Sequence, residues 1–389
     1  MDLRHCSGFT LPLQKGPFQN NGATPWYCEL GIGSPAQKLK MCFDTGSNFN
    51  WVTSNLCSDD GCKHYANARF NLNLSSTFEW INQDVQSVNF GPWGTMQVET
   101  GRDRLCLPYH HGPSIVSDLF LASEYSGTQF EELDWDGGIG LPSSQDITAI
   151  APSASYPFRG HHTNTNSNED FNFFLTLLKM GLVGTSTPYI SVQTEPLCDH
   201  PTGYIGFGTL DRSYASSLEY LFLPWSCYQQ EASYLWTTAN TTVKVNGNTI
   251  GTNMFFALDT GSSQFKGDNS VLTQVYNLTK NDGPPVSIML SDENGIEYGE
   301  LNITRDIYQC KIEAGEKKGK VVSQFQGLPG ADDMLLVGSV LMDHLYTVYE
   351  YEVISNNDIR PKGVWIFNKP NGPKIIKNRQ TSTASLFSR

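Results

Sequence analysis

The tetrapeptide Asp-Thr-Gly-Ser occurs twice, at 44–47 and at 259–262, with the two copies 215 residues apart. One copy of so short a word is weak evidence, whereas two in one chain form a specific signal. Asp44 and Asp259 are therefore the candidate catalytic residues. Two carboxylates held a few ångströms apart cannot both ionise cheaply, so such a pair shares a proton and divides into a base and an acid. A water between them can attack an amide carbonyl: the ionised carboxylate accepts its proton, and the protonated one hydrogen-bonds the developing oxyanion. Thr45, Gly46, Thr260 and Gly261 permit a tight turn after each Asp. The hydroxyls of Ser47 and Ser262, three residues on, can donate to their own carboxylates, which favours the ionised form.

Each copy needs an element to carry it, and each follows an apolar run that reads as a strand. Each also has an apolar-Gly signal downstream, Gly138-Ile139-Gly140-Leu141 in the first half and Leu336-Val337-Gly338-Ser339 in the second. The chain thus contains two related halves, in which a strand delivers Asp to a turn and a later strand packs beneath that turn. Residues 1–19 read as an arm, 26–32 as a strand and Gly33-Ser34-Pro35 as a turn. Strand-length segments recur to about 141, and 142–170 reads as a long surface loop. Residues 171–182 are predicted helical, with Phe173, Phe174, Leu177, Leu178 and Leu182 on one face. Strands return from 203 to 367, and 369–389, studded with Lys369, Lys374, Lys377 and Arg379, reads as a basic flexible tail.

Composition agrees with this texture. With 389 residues, two lobes or domains are expected. The 35 Gly, 20 Pro, and 21 Phe, 17 Tyr and 8 Trp, with only 17% charged residues, predict a mostly β chain rather than a helical bundle. A net charge of −13 excludes nucleic acid as a partner and suits an acidic compartment. The longest apolar stretch, 334–342, is too short for a membrane span. Residues 1–30 lack a signal-peptide core, which leaves two explanations: a native cytoplasmic start, or a mature chain given a start Met. Nine cysteines are an odd count, so at least one is unpaired in a monomer. Cys28 and Cys42, in apolar alternating surroundings, read as buried thiols. The pairs His110-His111 and His161-His162 read as solvated loop rather than metal ligands. No Gly-x-Ser-x-Gly elbow and no Walker spacing around 315–320 is present.

The chain resembles a pepsin-like aspartic protease of the two-lobed eukaryotic type over residues 25–367. The motifs are WYCELGIGSPAQ at 26–37, DTGSNFNWV at 44–52 with Trp51 at the family's spacing, RFNLNLSSTF at 69–78, WDGGIGL at 135–141, NFFLTLLKMGLV at 172–183 and TGYIGFGTL at 202–210. Residues 335–349 follow in order. The resemblance implies a mostly β fold of two lobes, 20–216 and 217–368, each a closed β-barrel-like domain with a cleft between them. It implies Asp44 and Asp259 as the dyad, Thr45 and Thr260 cross-bonding the two turns, and Ser47 and Ser262 tuning the carboxylates. A small disulfide loop falls on Cys57 and Cys62, and a flap over the cleft on Phe90, Gly91, Trp93 and Gly94. No metal and no cofactor is implied. The implied partners are a peptide or protein substrate and pepstatin-like inhibitors, on a monomer that is secreted or endolysosomal.

The sequence also departs from the family's pattern. Phe90 stands where the flap carries a Tyr bonded to a Trp, so that hydroxyl is missing and Phe90 is expected to pack against an apolar substrate side chain. The flap tip, 91–94, is one residue longer. Ser339 follows Gly338 where Asp is usual. Two further family disulfides lack clear counterparts, with Cys310 as one half of one of them. The loop 142–170 is longer than usual, and no inhibitory prosegment is recognisable. Four glycosylation sequons, at Asn73, Asn240, Asn277 and Asn302, are about what an Asn-rich chain produces by chance. The leading expectation is an endopeptidase cutting extended peptides between bulky apolar residues at acidic pH. The alternative is a catalytically silent peptide- or protein-binding protein on the same fold.

Overall fold

The computed structural model describes residues 8–58, 60–90, 94–109, 112–144, 171–196, 202–355, 357–377 and 382–388. His110-His111, His161-His162, Gly91, Trp93 and most of the 142–170 loop lie outside them. The fold is mostly β and two-lobed, and the same strand arrangement appears twice. In the first half, strand Gln37–Asp44 runs parallel to Gly137–Gly140, which is antiparallel to Asn50–Thr53, which is parallel to Ser114–Tyr125. In the second, Asn248–Leu258 runs parallel to Met334–Val337, which is antiparallel to Phe265–Asp268, which is parallel to Phe325–Leu328. The inserted strands, GGIG and MLLV, are buried throughout, as a strand covered on both faces must be.

A third group of strands joins the halves. Tyr220–Pro224, Asp358–Asn368, Leu345–Ser355, Tyr189–Glu195, Thr202–Phe207 and Phe9–Lys15 pair antiparallel in that order. They come from the beginning, middle and end of the chain, so this platform closes the molecule only when both halves are in place. Phe9–Lys15 also pairs antiparallel, through Gln14 and Lys15, with Trp26–Ile32, which pairs with Gln37–Asp44 and, through Gly31 and Ile32, with Thr95–Cys106. The first sheet therefore curls back on itself.

The helix is shorter than its pattern, Phe173–Lys179. Asn172 caps it by accepting from the Leu175 N–H at 2.9 Å. Gly181, at φ +68°, ends it as the Gly181 and Leu182 N–H groups return to the Leu178 and Leu177 carbonyls. Its Phe173 ring meets Phe43 at 5.7 Å and Phe207 at 5.4 Å. The helix thus presses the residue before Asp44 against the platform.

Two expectations are corrected. Residues Phe9–Lys15 of the arm form a platform strand, with Leu11 and Leu13 buried. The basic tail is not free over its described residues. Lys369 is buried and donates to the carbonyls of Thr194 and Asp343. Ile375 and Ile376 are buried beside strand Glu297–Ile303, and Ala384 and Leu386 pack with Tyr214 and Tyr220. Isolated apolar anchors among lysines outweigh the charge that the segment shows as a sequence.

Candidate active site

Asp44 is the last residue of its strand, and Asp259 follows the last residue of its counterpart. The inserted strands hold both ends. Leu141 N–H donates to the Asp44 carbonyl at 2.8 Å, and Asp259 N–H donates to the Val337 carbonyl at 2.9 Å. The glycines of the apolar-Gly signal are there for close approach. A Cβ on Gly140 would lie 2.7 Å from the Phe49 backbone, and one on Gly338 would lie 2.3 Å from the Ser262 carbonyl. Both aspartates are buried, at 4% and 2% exposure.

The two turns interlock with near two-fold symmetry. Thr45 N–H donates to Thr260 Oγ1 at 2.9 Å, and Thr260 N–H donates to Thr45 Oγ1 at 3.0 Å. Each hydroxyl then donates across to the opposite strand, Thr45 to the Leu258 carbonyl at 3.1 Å and Thr260 to that of Phe43 at 2.6 Å. Tyr349, fully buried, donates to the same Leu258 carbonyl at 3.2 Å. Within each turn the glycine N–H donates to its own Asp Oδ1, Gly46 to Asp44 at 2.8 Å and Gly261 to Asp259 at 2.9 Å. Ser262 Oγ donates to Asp259 Oδ2 at 2.5 Å. Ser47 is buried, and its N–H donates to the Asp44 carbonyl at 3.3 Å. A Cβ on Gly261 would come within 2.3 Å of the Asp44 carboxylate, and one on Gly46 within 2.7 Å of that of Asp259. Each carboxylate therefore lies against the opposite turn, and the two face one another across the lobes.

Trp51 lies behind the first turn in an aromatic cluster. Its ring meets Phe90 at 5.8 Å, Trp135 at 5.8 Å and Tyr125 at 6.2 Å. Phe90 differs from expectation. It is 1% exposed and makes edge contacts with Phe49 at 5.7 Å and Phe130 at 5.4 Å. Its side chain is committed to the lobe's core and has no surface left to offer a substrate. The hairpin turns just beyond it, where Phe90 N–H donates to the Gly94 carbonyl at 2.9 Å and Gly94 adopts φ +106°.

Cys57 and Cys62 form a disulfide with Cα atoms 5.8 Å apart. Cys28, Cys42 and Cys310 are thiols, and burial pushes those of Cys28 and Cys310 up to about 12, which makes them unreactive. Among the described residues no group of His, Cys, Asp or Glu has the arrangement of a metal site. Sequence reasoning missed a buried pair beside the disulfide. His64 Nε2 meets Asp136 Oδ1 at 2.7 Å, and Asp136 also accepts from the Lys40 and Ala68 N–H groups at 2.8 Å. Its carboxylate ties the inserted strand's entry to the disulfide loop. Nothing along the chain links positions 72 residues apart, and only Asp136 lies inside a motif stretch, WDGGIGL. It missed Asp343 too, partly buried between the lobes, where Trp26 Nε1 and Thr194 Oγ1 donate to its Oδ1 at 2.9 and 2.7 Å.

A family model described as eukaryotic aspartyl protease matches residues 25–360. Pepsin A of Bos taurus is 24% identical over 351 residues, covering 87% of this chain and 84% of that protein. Plasmepsin VIII of Plasmodium berghei is 25% identical over 328 residues, with 77% and 75% covered. Cathepsin E-A of Xenopus laevis is 25% identical over 372 residues, with 89% and 81% covered.

Proposed function

Because this chain belongs to the eukaryotic aspartyl protease family, we propose that it is an aspartic endopeptidase whose reacting groups are Asp44 and Asp259. The observation that carries the proposal is the mutual approach of each carboxylate to the other turn's glycine. A water held between them gives a proton to the ionised carboxylate as its oxygen bonds the scissile carbonyl carbon. The protonated carboxyl stabilises the carbonyl oxygen as it gains charge. The tetrahedral species then breaks its C–N bond as the amide nitrogen takes up a proton, which releases an amine and a carboxylic acid. The cross-bonded Thr45 and Thr260 keep the two turns in register, so the dyad costs no reorganisation when substrate arrives.

The expected substrates are extended peptides cut between bulky apolar residues at acidic pH by a pepstatin-sensitive monomer. The Cys57–Cys62 disulfide supports an oxidising setting, secreted or endolysosomal. Cleavage of a diverse peptide mixture between pH 3 and 7, read by mass spectrometry with and without pepstatin, tests this reading. Pepstatin-sensitive cuts that vanish in Asp44→Asn are expected. Pepstatin binding by folded protein that makes no cuts would replace the protease with the silent peptide-binding reading.

A further inference from the structure

A cavity of about 520 Å³ opens on the second lobe with no residue of either catalytic turn in its wall. The half-buried rings of Phe222, Trp225 and Tyr298 line it. Two of them are held in place. Phe222 meets Trp365 at 4.6 Å, and Trp225 Nε1 donates to Ser143 Oγ at 3.1 Å and to the Leu235 carbonyl at 3.0 Å. Asp292 and Glu293 supply carboxylates to the same wall, and Asp292 Oδ1 is fixed by the Asn294 and Ile296 N–H groups at 2.9 and 2.8 Å. Rigid aromatic faces beside a few polar acceptors suit a sugar, whose C–H face rests on a ring while its hydroxyls donate to carboxylates.

The same cavity is lined by Asn240, the first residue of the sequon Asn240-Thr241-Thr242. Chance accounts for how many sequons a chain of this composition carries, not for where they fall. Asn240 sits at a bulge in strand Thr237–Val245: Thr238 pairs with Phe256 and Thr241 with Met254, so Ala239 and Asn240 together stand opposite Phe255. Pairing with Val286–Ser291 begins only at Thr241, opposite Leu290. Asn240 adopts φ +58°, a left-handed conformation that asparagine tolerates better than most residues. It is half-buried, and its side-chain amide has no partner among the described residues. Two of the other sequons are placed differently. Asn277 Oδ1 accepts from Lys280 Nζ at 2.8 Å on a helix, and Asn302 lies within a strand, its N–H bonded to the Ile375 carbonyl at 2.8 Å.

We propose that Asn240 is an N-glycosylation site whose first sugars seat in this cavity, against Trp225, Phe222 and Tyr298. In the transfer, Asn240 Nδ2 loses a proton and bonds the anomeric carbon of an N-acetylglucosamine as that carbon's bond to a polyprenyl diphosphate breaks and the diphosphate leaves. The sugar is then tethered at the rim of its own site, so even a weak contact with the rings is occupied most of the time. The inference goes beyond the protease reading and rests only on passage through the secretory route, which the Cys57–Cys62 disulfide supports.

The test secretes the full chain from a eukaryotic host behind a cleavable leader, so that the result is independent of the chain's own routing. Glycopeptide mass spectrometry should find Asn240 occupied and Asn240→Gln without sugar there, and an unmodified Asn240 in secreted, folded protein overturns the site. Seating is read from the rate at which a peptide N-glycosidase releases the Asn240 glycan from native protein. Release about tenfold slower than from Trp225→Ala is expected, because that substitution removes one aromatic wall. Equal rates overturn the seating. Should Trp225→Ala fail to fold, Tyr298→Ala supplies the same comparison from the other wall. Cleavage of peptides by the Asn240→Gln protein is read separately, so failure of the site and failure of the protease reading stay distinct.

Discussion

At the scale of single residues the site depends on what is missing as much as on what is present. A methyl group on Gly261 would stand 2.3 Å from the Asp44 carboxylate, so Gly261→Ala must displace that side chain or its own turn. Displacements near 1 Å at a reacting centre cost about 100-fold. A fall in kcat of at least that size is expected, read by steady-state kinetics, and unchanged turnover would mean that the carboxylate does not work from this position. His64→Ala tests a different kind of dependence. It leaves Asp136, 1% exposed, without one of its hydrogen-bond partners while the Lys40 and Ala68 N–H groups remain, and losing one partner of a buried polar group costs about 1–3 kcal/mol. Urea titration should show that loss. The Asp-Thr-Gly-Ser words were legible as sequence because both glycine and carboxylate are needed at fixed spacing. The His64–Asp136 and Trp26–Asp343 contacts were not, because each joins residues that only the folded chain brings together.

At the scale of elements, the repeat of a strand carrying Asp and a later apolar-Gly strand beneath its turn was legible, because buried strands read as short apolar runs ending in glycine, whereas the parallel and antiparallel directions of the strands were not. Strand Phe9–Lys15 was not. Only Leu11 and Leu13 of FTLPLQK are buried, Pro12 breaks the pattern, and its partner strand begins at Thr202. The hairpin of Glu79–Asn89 and Thr95–Cys106 shows a subtler difference between sequence and structure. Phe90 was found by its position but given the wrong neighbours, since hydrophobicity alone cannot distinguish a ring facing substrate from one facing its own lobe. Phe90→Ala separates these roles. A ring in contact with Phe49, Trp51 and Phe130 leaves a cavity when removed, at about 3–5 kcal/mol. Thermal or urea unfolding should register that cost in the absence of any substrate. A stability loss below about 1 kcal/mol would restore Phe90 to the substrate side.

At the scale of the whole molecule, buried Asp134 and partly buried Asp343 and His344 contribute to how stability follows pH. Burial pushes Asp343 up to about 6 and Asp134 up to about 7, while burial pushes His344 down to about 4. An unfolded chain ionises its aspartates near pH 4, so between about pH 4 and 7 the folded state keeps protons on Asp343 and Asp134 that the unfolded state has released. Their contribution is full below about pH 4 and is lost as pH rises through 6 and 7. His344 acts oppositely, because the unfolded chain charges it below about 6.5 while the folded chain keeps it neutral to about 4. Two groups against one leave the folded state holding the extra proton, so these three groups together make the protein more stable near pH 4.5 than near 7.5. Asp343 is the member to test, since it binds Trp26 of the first half and Thr194 of the platform to the second half. Asp343→Asn keeps an oxygen for both donors and removes the ionisation. It should raise stability at pH 7.5 by about 3 kcal/mol and change it little at pH 4, flattening the dependence seen in urea titrations across that range. Equal effects of the substitution at both pH values would show that the carboxyl stays charged between the lobes, and would remove it from the account of acid stability.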